Sequence, residues 1–299
     1  KKNMKNKKPF LGIIGGSGLY ELDELIAPKW KTVNSAFGAP SDDILIGKIG
    51  SINVAFLPRH GRQHNINPSE INYRSNIDCL KNIGVTDIIS FSAVGSLKEN
   101  IKPGNFLLVD QFIDRTFIRK KTFFDEEIVA HVSMAKPISK QLTDVIISST
   151  KNNPNYVFDI TIHENGTYLA MEGPQFSTLA ESELYRSWNC DVIGMTNMPE
   201  AKLAREAEIA YATVAMVTDY DCWHPEHEDV SVEQIIKVLS ENSNNAKLLI
   251  KEISNTIEKS TWDWTDPAYF SLENAIITPH NYRTKKTLEK LKAIASRVL

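Results

Sequence analysis

Two aspartates, Asp219 and Asp221, stand two residues apart directly behind the apolar run Tyr211–Val217 (YATVAMV). A run of that kind reads as a strand buried on both faces, and open α/β sheets bind ligands where their strands end. A second group of chemically able residues, Arg59-His60-Gly61-Arg62-Gln63-His64, follows the apolar run Ile52–Leu57. Arginine offers a planar fork of donors that matches an oxyanion. Two further predicted strands, Phe10–Ile14 and Val85–Ser90, lead into Gly15-Gly16-Ser17-Gly18 and into Phe91-Ser92-Ala93. Glycines let a backbone come close to an anion, and short loops of small residues present N–H groups to it. Three of these strand ends are donor-rich and suit one anion, while the fourth is acidic.

The elements that must hold these groups follow from pattern. Ile44–Ile49 and Ile52–Leu57 flank Gly50-Ser51 and read as a hairpin. Helices are expected over 72–83, ended by Gly84, over 138–150, and from Ser177 or Thr178 to Trp188. Another starts with Pro199 in its first turn. Ser231 and Gln234 form a capping box for a helix whose Val232, Ile235, Ile236 and Leu239 share one face. Phe106–Val109 reads as a strand, and 161–171 as a bent hairpin or strand. Residues 117–137 are irregular, which fits a lid or a subunit contact. The end of the chain holds a strand-like Ala275-Ile276-Ile277, then a basic helix from Arg283 or Thr284 with an apolar stripe. Without a Pro/Gly/Ser linker, one domain is expected over 10–259, with 1–9 a disordered tail and 260–299 an extension packing on the body or a neighbouring subunit.

Composition narrows the function. A net charge of −3 over 299 residues gives no basic surface for nucleic acid. Three scattered cysteines argue against a disulfide framework and fit a reducing cytoplasm. No apolar run is long enough to span a bilayer. His60 and His64 lack a third ligand at useful spacing, so no metal is expected. Gly15–Gly18 is neither a dinucleotide fingerprint, whose third glycine would fall on Glu21, nor a Walker loop. A substrate joining an anion to an amino-bearing group would use both the donor-rich and the acidic ends. Attack of phosphate on a sugar–base bond is such a reaction.

The motifs run collinearly from about residue 10 to 250: Gly15-Gly16-Ser17-Gly18-Leu19, Phe37-Gly38-Ala39-Pro40-Ser41-Asp42, Arg59 to His64, Asn72-Tyr73-Arg74-Ser75-Asn76-Ile77, Asp110 to Thr116, Glu172-Gly173-Pro174-Gln175-Phe176-Ser177, Met195-Thr196 and Thr218 to Trp223. On these residues the chain resembles the purine nucleoside phosphorylase superfamily, and within it the branch acting on 5′-methylthioadenosine. The resemblance implies a single α/β domain with a mixed, partly closed central sheet flanked by helices. It implies a pentosyltransferase that splits 5′-methylthioadenosine with phosphate as co-substrate, without metal or organic cofactor, as a homotrimer. Ser17, Arg59, His60, Ser92, Ala93 and Thr196 would then hold phosphate, and Met195 the ribose. Phe176 and Ser177 would serve the base; Val232, Ile235 and Ile236, with Ile277 near, would line the methylthio slot. His131 would reach a neighbour's site. Asp219 would assist N7 of the leaving base and Asp221 would accept from its 6-amino group, His60 joining them as a catalytic group. Ser17 and Ser92 stand where the family often has threonine, and the end from about Ser260 matches poorly. The alternatives are a 6-oxopurine nucleoside or methylthioinosine phosphorylase, a nucleoside-binding protein without catalysis, and an oxidoreductase resting on the glycine turn.

Overall fold

The computed structural model describes residues 7–16, 18–151, 160–226 and 232–299. Among the described residues nine strands form one mixed sheet: β1 (Leu11–Gly15), β2 (Ile26–Lys31), β3 (Ile44–Ile49), β4 (Ile52–Pro58), β5 (Asp87–Ser96), β6 (Phe106–Asp114), β7 (Ile162–Ala170), β8 (Val192–Gly194) and β9 (Ala210–Asp219). Their order is β2-β3-β4-β1-β5-β8-β7-β6-β9, and β9 also pairs with β5. Strands β5, β8, β7, β6 and β9 therefore close into a ring, with β4-β1 and the β3-β4 hairpin running off one side. This is the expected α/β domain with a partly closed sheet.

The alternation of side chains along β5 shows why two layers of helices are needed. Ile88 and Val94 belong to one buried cluster with Ile77 and Leu80 of α1 (Tyr73–Asn82), Leu203 of α4 (Asn197–Glu206), and Leu291 and Ile294 near the end of the chain. Ile89 and Phe91 belong to the other, with Leu142 and Ile146 of α2 (Lys140–Lys151) and Leu249, Ile250, Ile253 and Ile257 of α5 (Val232–Lys259). The two-residue period of a strand and the three-to-four-residue period of helices meet at these faces. α3 (Leu179–Ser187) is fixed by a full capping box between Thr178 and Glu181.

Several elements depart from the sequence pattern. β2 is an exposed edge strand without apolar periodicity, and β8 has only three residues. Of the two readings of 161–171, the strand is the one formed: β7 is a single strand, parallel to both β6 and β8. β5 continues through Ser92-Ala93 to Ser96, because β9 still pairs with it after β1 has ended. Ala275-Ile276-Ile277 contributes one bridge, Ala130 to Ile276. The final basic helix is two short ones, α6 (Lys285–Lys290) and α7 (Lys292–Ala295). Ser231 of the expected capping box and residues 1–6 of the expected tail lie outside the described residues; Lys8, within that tail, donates to Ile257 O at 2.9 Å.

The segment after α5 is tied to the sheet by a buried polar chain. Trp262 Nε1 donates to Tyr269 Oη at 3.1 Å, and Tyr269 Oη donates to Asp87 Oδ1 at 2.7 Å, at the start of β5. Burial pushes Asp87 up to about 7, with the Thr86 and Tyr269 hydroxyls opposing it. Removing the phenol leaves that carboxyl short of a donor. Tyr269→Phe is expected to cost about 1–3 kcal/mol of unfolding free energy, measured by urea titration; an unchanged midpoint would refute the coupling.

Candidate active site

β4, β1, β5 and β9 lie side by side and parallel. Their carboxyl ends therefore gather on one rim, and with them Arg59, the Gly15-Gly16 turn, Ser92-Ala93 and Asp219. Ser17 lies outside the described residues. Ala93 is exposed in the middle of a strand whose other residues are buried, so the rim opens into a depression at that point.

Arg59 is built into the wall of this depression. Its backbone N–H donates to Gly15 O at 2.9 Å. The guanidinium, 2% exposed, donates through Nε and Nη2 to the two carboxylate oxygens of Glu200 at 2.7 and 2.9 Å. It also donates to Ser90 Oγ at 2.5 Å and Phe91 O at 3.2 Å. Four of its five N–H groups are thus spent on the protein, and Tyr211 Oη completes Glu200 at 2.9 Å. Arg62 is engaged elsewhere, with Asp42 at 2.8 Å and over the Trp30 ring.

His60 is half-buried, stacks on His64 with ring centroids 4.4 Å apart, and lies with Nδ1 2.8 Å from Ile66 O. A carbonyl only accepts, so Nδ1 carries the proton and Nε2 keeps its lone pair. Burial, with the Arg59 charge adding to it, holds the imidazole down at about 4.

Ser92 and Thr196 bring their hydroxyl oxygens to 3.3 Å of each other. Thr196 is the residue before α4, whose Met198 is still extended, so the regular helix begins at Pro199. Met195 packs against Gly173, where a Cβ would collide with its sulfur. Arg119, in the irregular 117–137 stretch and 7% exposed, donates to the carbonyls of Met195, of Met198 at 2.7 Å and of Glu172 at 2.8 Å. It clamps the segment holding Met195 and Thr196 to the Glu172–Ser177 turn.

At the acidic end, Asp221 N–H donates to Asp219 Oδ1 at 2.8 Å and Thr218 Oγ1 to Asp219 Oδ2 at 2.6 Å. Asp221 adopts a left-handed φ of 53°, a costly backbone state for a non-glycine residue. Gly95 makes room for this turn: a Cβ there would stand 2.8 Å from Asp219 Oδ1. Burial pushes Asp219 up to about 6, the two donors opposing it and the Asp221 charge adding to it. Asp221, 6% exposed, is raised by burial too, with Ser182, Cys222 N–H and Ser177 opposing. Its Oδ2 closes no hydrogen bond among the described residues. Cys222 Sγ donates to Ser177 O at 3.4 Å and joins this turn to the Phe176–Ser177 loop.

The remaining candidates sit apart from this set. Phe176 is exposed. Val232 and Ile236, 63% and 60% exposed, and the half-buried Ile235 lie on the first turns of α5. His131 is exposed and donates its N–H to Ala275 O, beside the exposed Ile277. No described contact joins these residues to the strand ends. Two clefts of about 410 and 620 Å³ lie near β2 and β3 and are lined by none of the candidates. No group of three or more His, Cys, Asp or Glu among the described residues is arranged to hold a metal.

Residues 10–255 match the family model described as Phosphorylase superfamily. The chain belongs to that superfamily. An S-methyl-5′-thioadenosine phosphorylase from Rhodospirillum rubrum is 55% identical over 295 residues, 98% of each chain. A crystal structure of a methylthioadenosine phosphorylase from an antarctic soil metagenomic library superposes with a TM-score of 0.89 at 45% identity, covering 96% of this chain and 99% of that one. Methylthioadenosine phosphorylase from Schistosoma mansoni, solved with adenine, gives 0.78 at 32% identity, covering 97% and 98%. In this superfamily member, sequence reasoning missed Glu200, Arg119 and Gly95. Glu200 read as an ordinary acid in a first helical turn; only the fold reveals its partner.

Two outcomes follow from this geometry. Glu200→Gln leaves the Arg59 charge buried without its partner and is expected to cost about 3–5 kcal/mol in urea unfolding; a loss near that of an exposed pair, about 1 kcal/mol or less, refutes the lock. By NMR, the His60 ring is expected to titrate near 4. Because the folded value lies below that of the unfolded chain, stability from this group is present above pH 6.5 and falls as pH drops towards 4. A midpoint near 6.5 would show an unburied imidazole.

Proposed function

We infer that the chain is a pentosyltransferase that splits S-methyl-5′-thioadenosine with phosphate into adenine and 5-methylthioribose 1-phosphate, in methionine and purine salvage. The observation that carries this reading is the pairing, on one rim, of a donor-rich end with the half-buried Asp219 and the buried Asp221. Phosphate would take donors from Ser92, Thr196, the Ala93 backbone and the Gly15–Gly18 turn with Ser17. Arg59 would contribute its last N–H and its charge. His60 Nε2, as the lone-pair site among donors, would accept the P–OH hydrogen of hydrogen phosphate. Met195 would pack on the ribose, and Phe176 and Ser177 on the base.

The sugar gains positive character as its bond to the base lengthens, and phosphate carries the compensating charge. Holding the two in line removes about 7–11 kcal/mol of barrier in well-oriented cases. The leaving adenine gathers electron density at N7. Asp219, already raised to about 6 by burial, gains a proton more easily once the base excludes water, and donates it there. Asp221 accepts from the 6-amino group. A 6-oxopurine would set an oxygen against that carboxylate, an unpaired buried contact.

Val232, Ile235 and Ile236 would cover the methylthio group, leaving a 5′-hydroxyl unsatisfied. The exposed apolar residues Phe117, Ile118, Val129, Ile277 and Tyr282 fit a homo-oligomer, in which we place three subunits, with His131 reaching the next site. No metal or organic cofactor enters this reaction. Among the described residues no helix is long and apolar enough to cross a membrane; the few, scattered cysteines of the sequence fit a reducing compartment, and we place the enzyme in the cytoplasm.

Adenine release from methylthioadenosine is expected to depend on phosphate. Release without phosphate would mark a hydrolase, and no release a binding protein. Asp219→Asn is expected to slow 6-amino substrates selectively. Asp221→Asn is expected to shift the 6-amino to 6-oxo kcat/KM ratio by about tenfold or more towards 6-oxo; an unchanged ratio removes Asp221 from base recognition.

A further inference from the structure

The Ser92–Thr196 hydroxyl pair has a third member. Tyr168, on β7, is fully buried, and its ring meets Phe112 edge-on at 5.7 Å. Its hydroxyl oxygen receives the Thr196 backbone N–H at 3.4 Å and lies 3.1 Å from Ser92 Oγ. A Cβ on Gly194, in neighbouring β8, would run into that hydroxyl, so the phenol fits only because the facing residue is glycine.

Counting hydrogens fixes the direction of these bonds. The Thr196 N–H can only donate, so it takes one lone pair of the phenol. Among the described contacts, Ser92 Oγ is the acceptor left for the phenol hydrogen, and an unpaired buried O–H is costly. With Ser92 Oγ thus accepting, its own hydrogen goes to Thr196 Oγ1 at 3.3 Å in preference to Ala93 O, which lies at the outer limit of 3.5 Å. Thr196 Oγ1 then accepts within the ring, and its hydrogen is left for a ligand. The relay starts at the backbone of Thr196 and returns to its side chain.

We propose that Tyr168 is a positioning residue for the anion: it orients the Ser92 and Thr196 hydroxyls so that the pair presents hydrogen, and not lone pairs, to phosphate. The proposal rests on the reading that this pair holds phosphate. Without the phenol hydrogen, Ser92 Oγ is free to accept from Thr196 while its own hydrogen turns to Ala93 O at 3.5 Å, so the outward hydrogen turns inward and oxygen lone pairs face a dianion. The effect falls on the anion alone, because the base and the ribose are met by other residues.

The test uses initial rates of base release while phosphate and nucleoside are varied separately, in Tyr168→Phe, Ser92→Ala and the double variant, with urea unfolding alongside. Tyr168→Phe keeps the ring and is expected to raise the phosphate KM about tenfold, with the nucleoside KM within about twofold. In the Ser92→Ala background the same change is expected to add less than about twofold, since the hydroxyl it orients is gone. Gly194→Ala, which displaces the phenol by crowding, is expected to give the same phosphate-specific signature. An unchanged phosphate KM in Tyr168→Phe overturns the relay, as does a double variant equal to the product of the singles. Equal losses in both KM values and in the unfolding midpoint would make Tyr168 a packing residue and overturn it too. A wild-type enzyme indifferent to phosphate would overturn the phosphate reading itself, and is told apart because it needs no variant.

Discussion

The buried pair of Arg59 and Glu200 is the interaction on which the rest of the rim depends. A guanidinium and a carboxylate at 2% side-chain exposure persist only because each is surrounded by partners. Those partners come from different elements: Ser90 and Phe91 O from β5, Tyr211 from β9, and Gly15 O against the Arg59 backbone. Asn197, one turn before Glu200, extends the network through Ser90 and Thr213. Strands that meet otherwise through backbone bonds are thereby locked by side chains at the level where ligand chemistry begins. The depression beside Ala93 keeps its shape because the polar floor beneath it has few alternatives.

The same network explains why one arginine serves as architecture and as charge. A residue that gives away four of five donors makes a poor clamp, and its charge is balanced in place by Glu200, so on the proposed reading it contributes to an anion mainly through its last N–H. The acidic end is built on a contrasting rule. Asp219 and Asp221 are supported by short-range donors and by a strained φ, and Gly95 is needed to let the carboxylate in. Rigid donors at one end and elevated carboxyls at the other form an electrostatic gradient along a rim made by four parallel strands.

Much of this was legible in the sequence. The strands carrying Arg59, Gly15, Ser92 and Asp219 announced themselves by apolar runs, and the polar residues after those runs marked the rim. The start of α3 at Ser177 or Thr178 and the glycine after α1 were equally plain. Partners distant along the chain were not: Glu200 is 141 residues from Arg59, and Tyr168 is 76 from Ser92. β2 and β8 carried too little periodicity to be seen, because one is an exposed edge and the other is three residues long. The extent of β5 depended on β9 pairing beyond the end of β1, which no local pattern encodes.

α5 is 28 residues long, about 42 Å of helix. Among its described side chains, the first buried one is Asn242, and the apolar anchors Ala246, Leu249, Ile250, Ile253 and Ile257 follow it. The helix is moored at one end and projects at the other, where Val232 and Ile236 are exposed. Substitutions on the projecting turns leave the mooring intact. Residues there can drift in size and polarity without taxing the core, which, on the proposed reading of these turns as the methylthio wall, gives natural variation a cheap route to new 5′-substituents while the strand-end residues stay fixed.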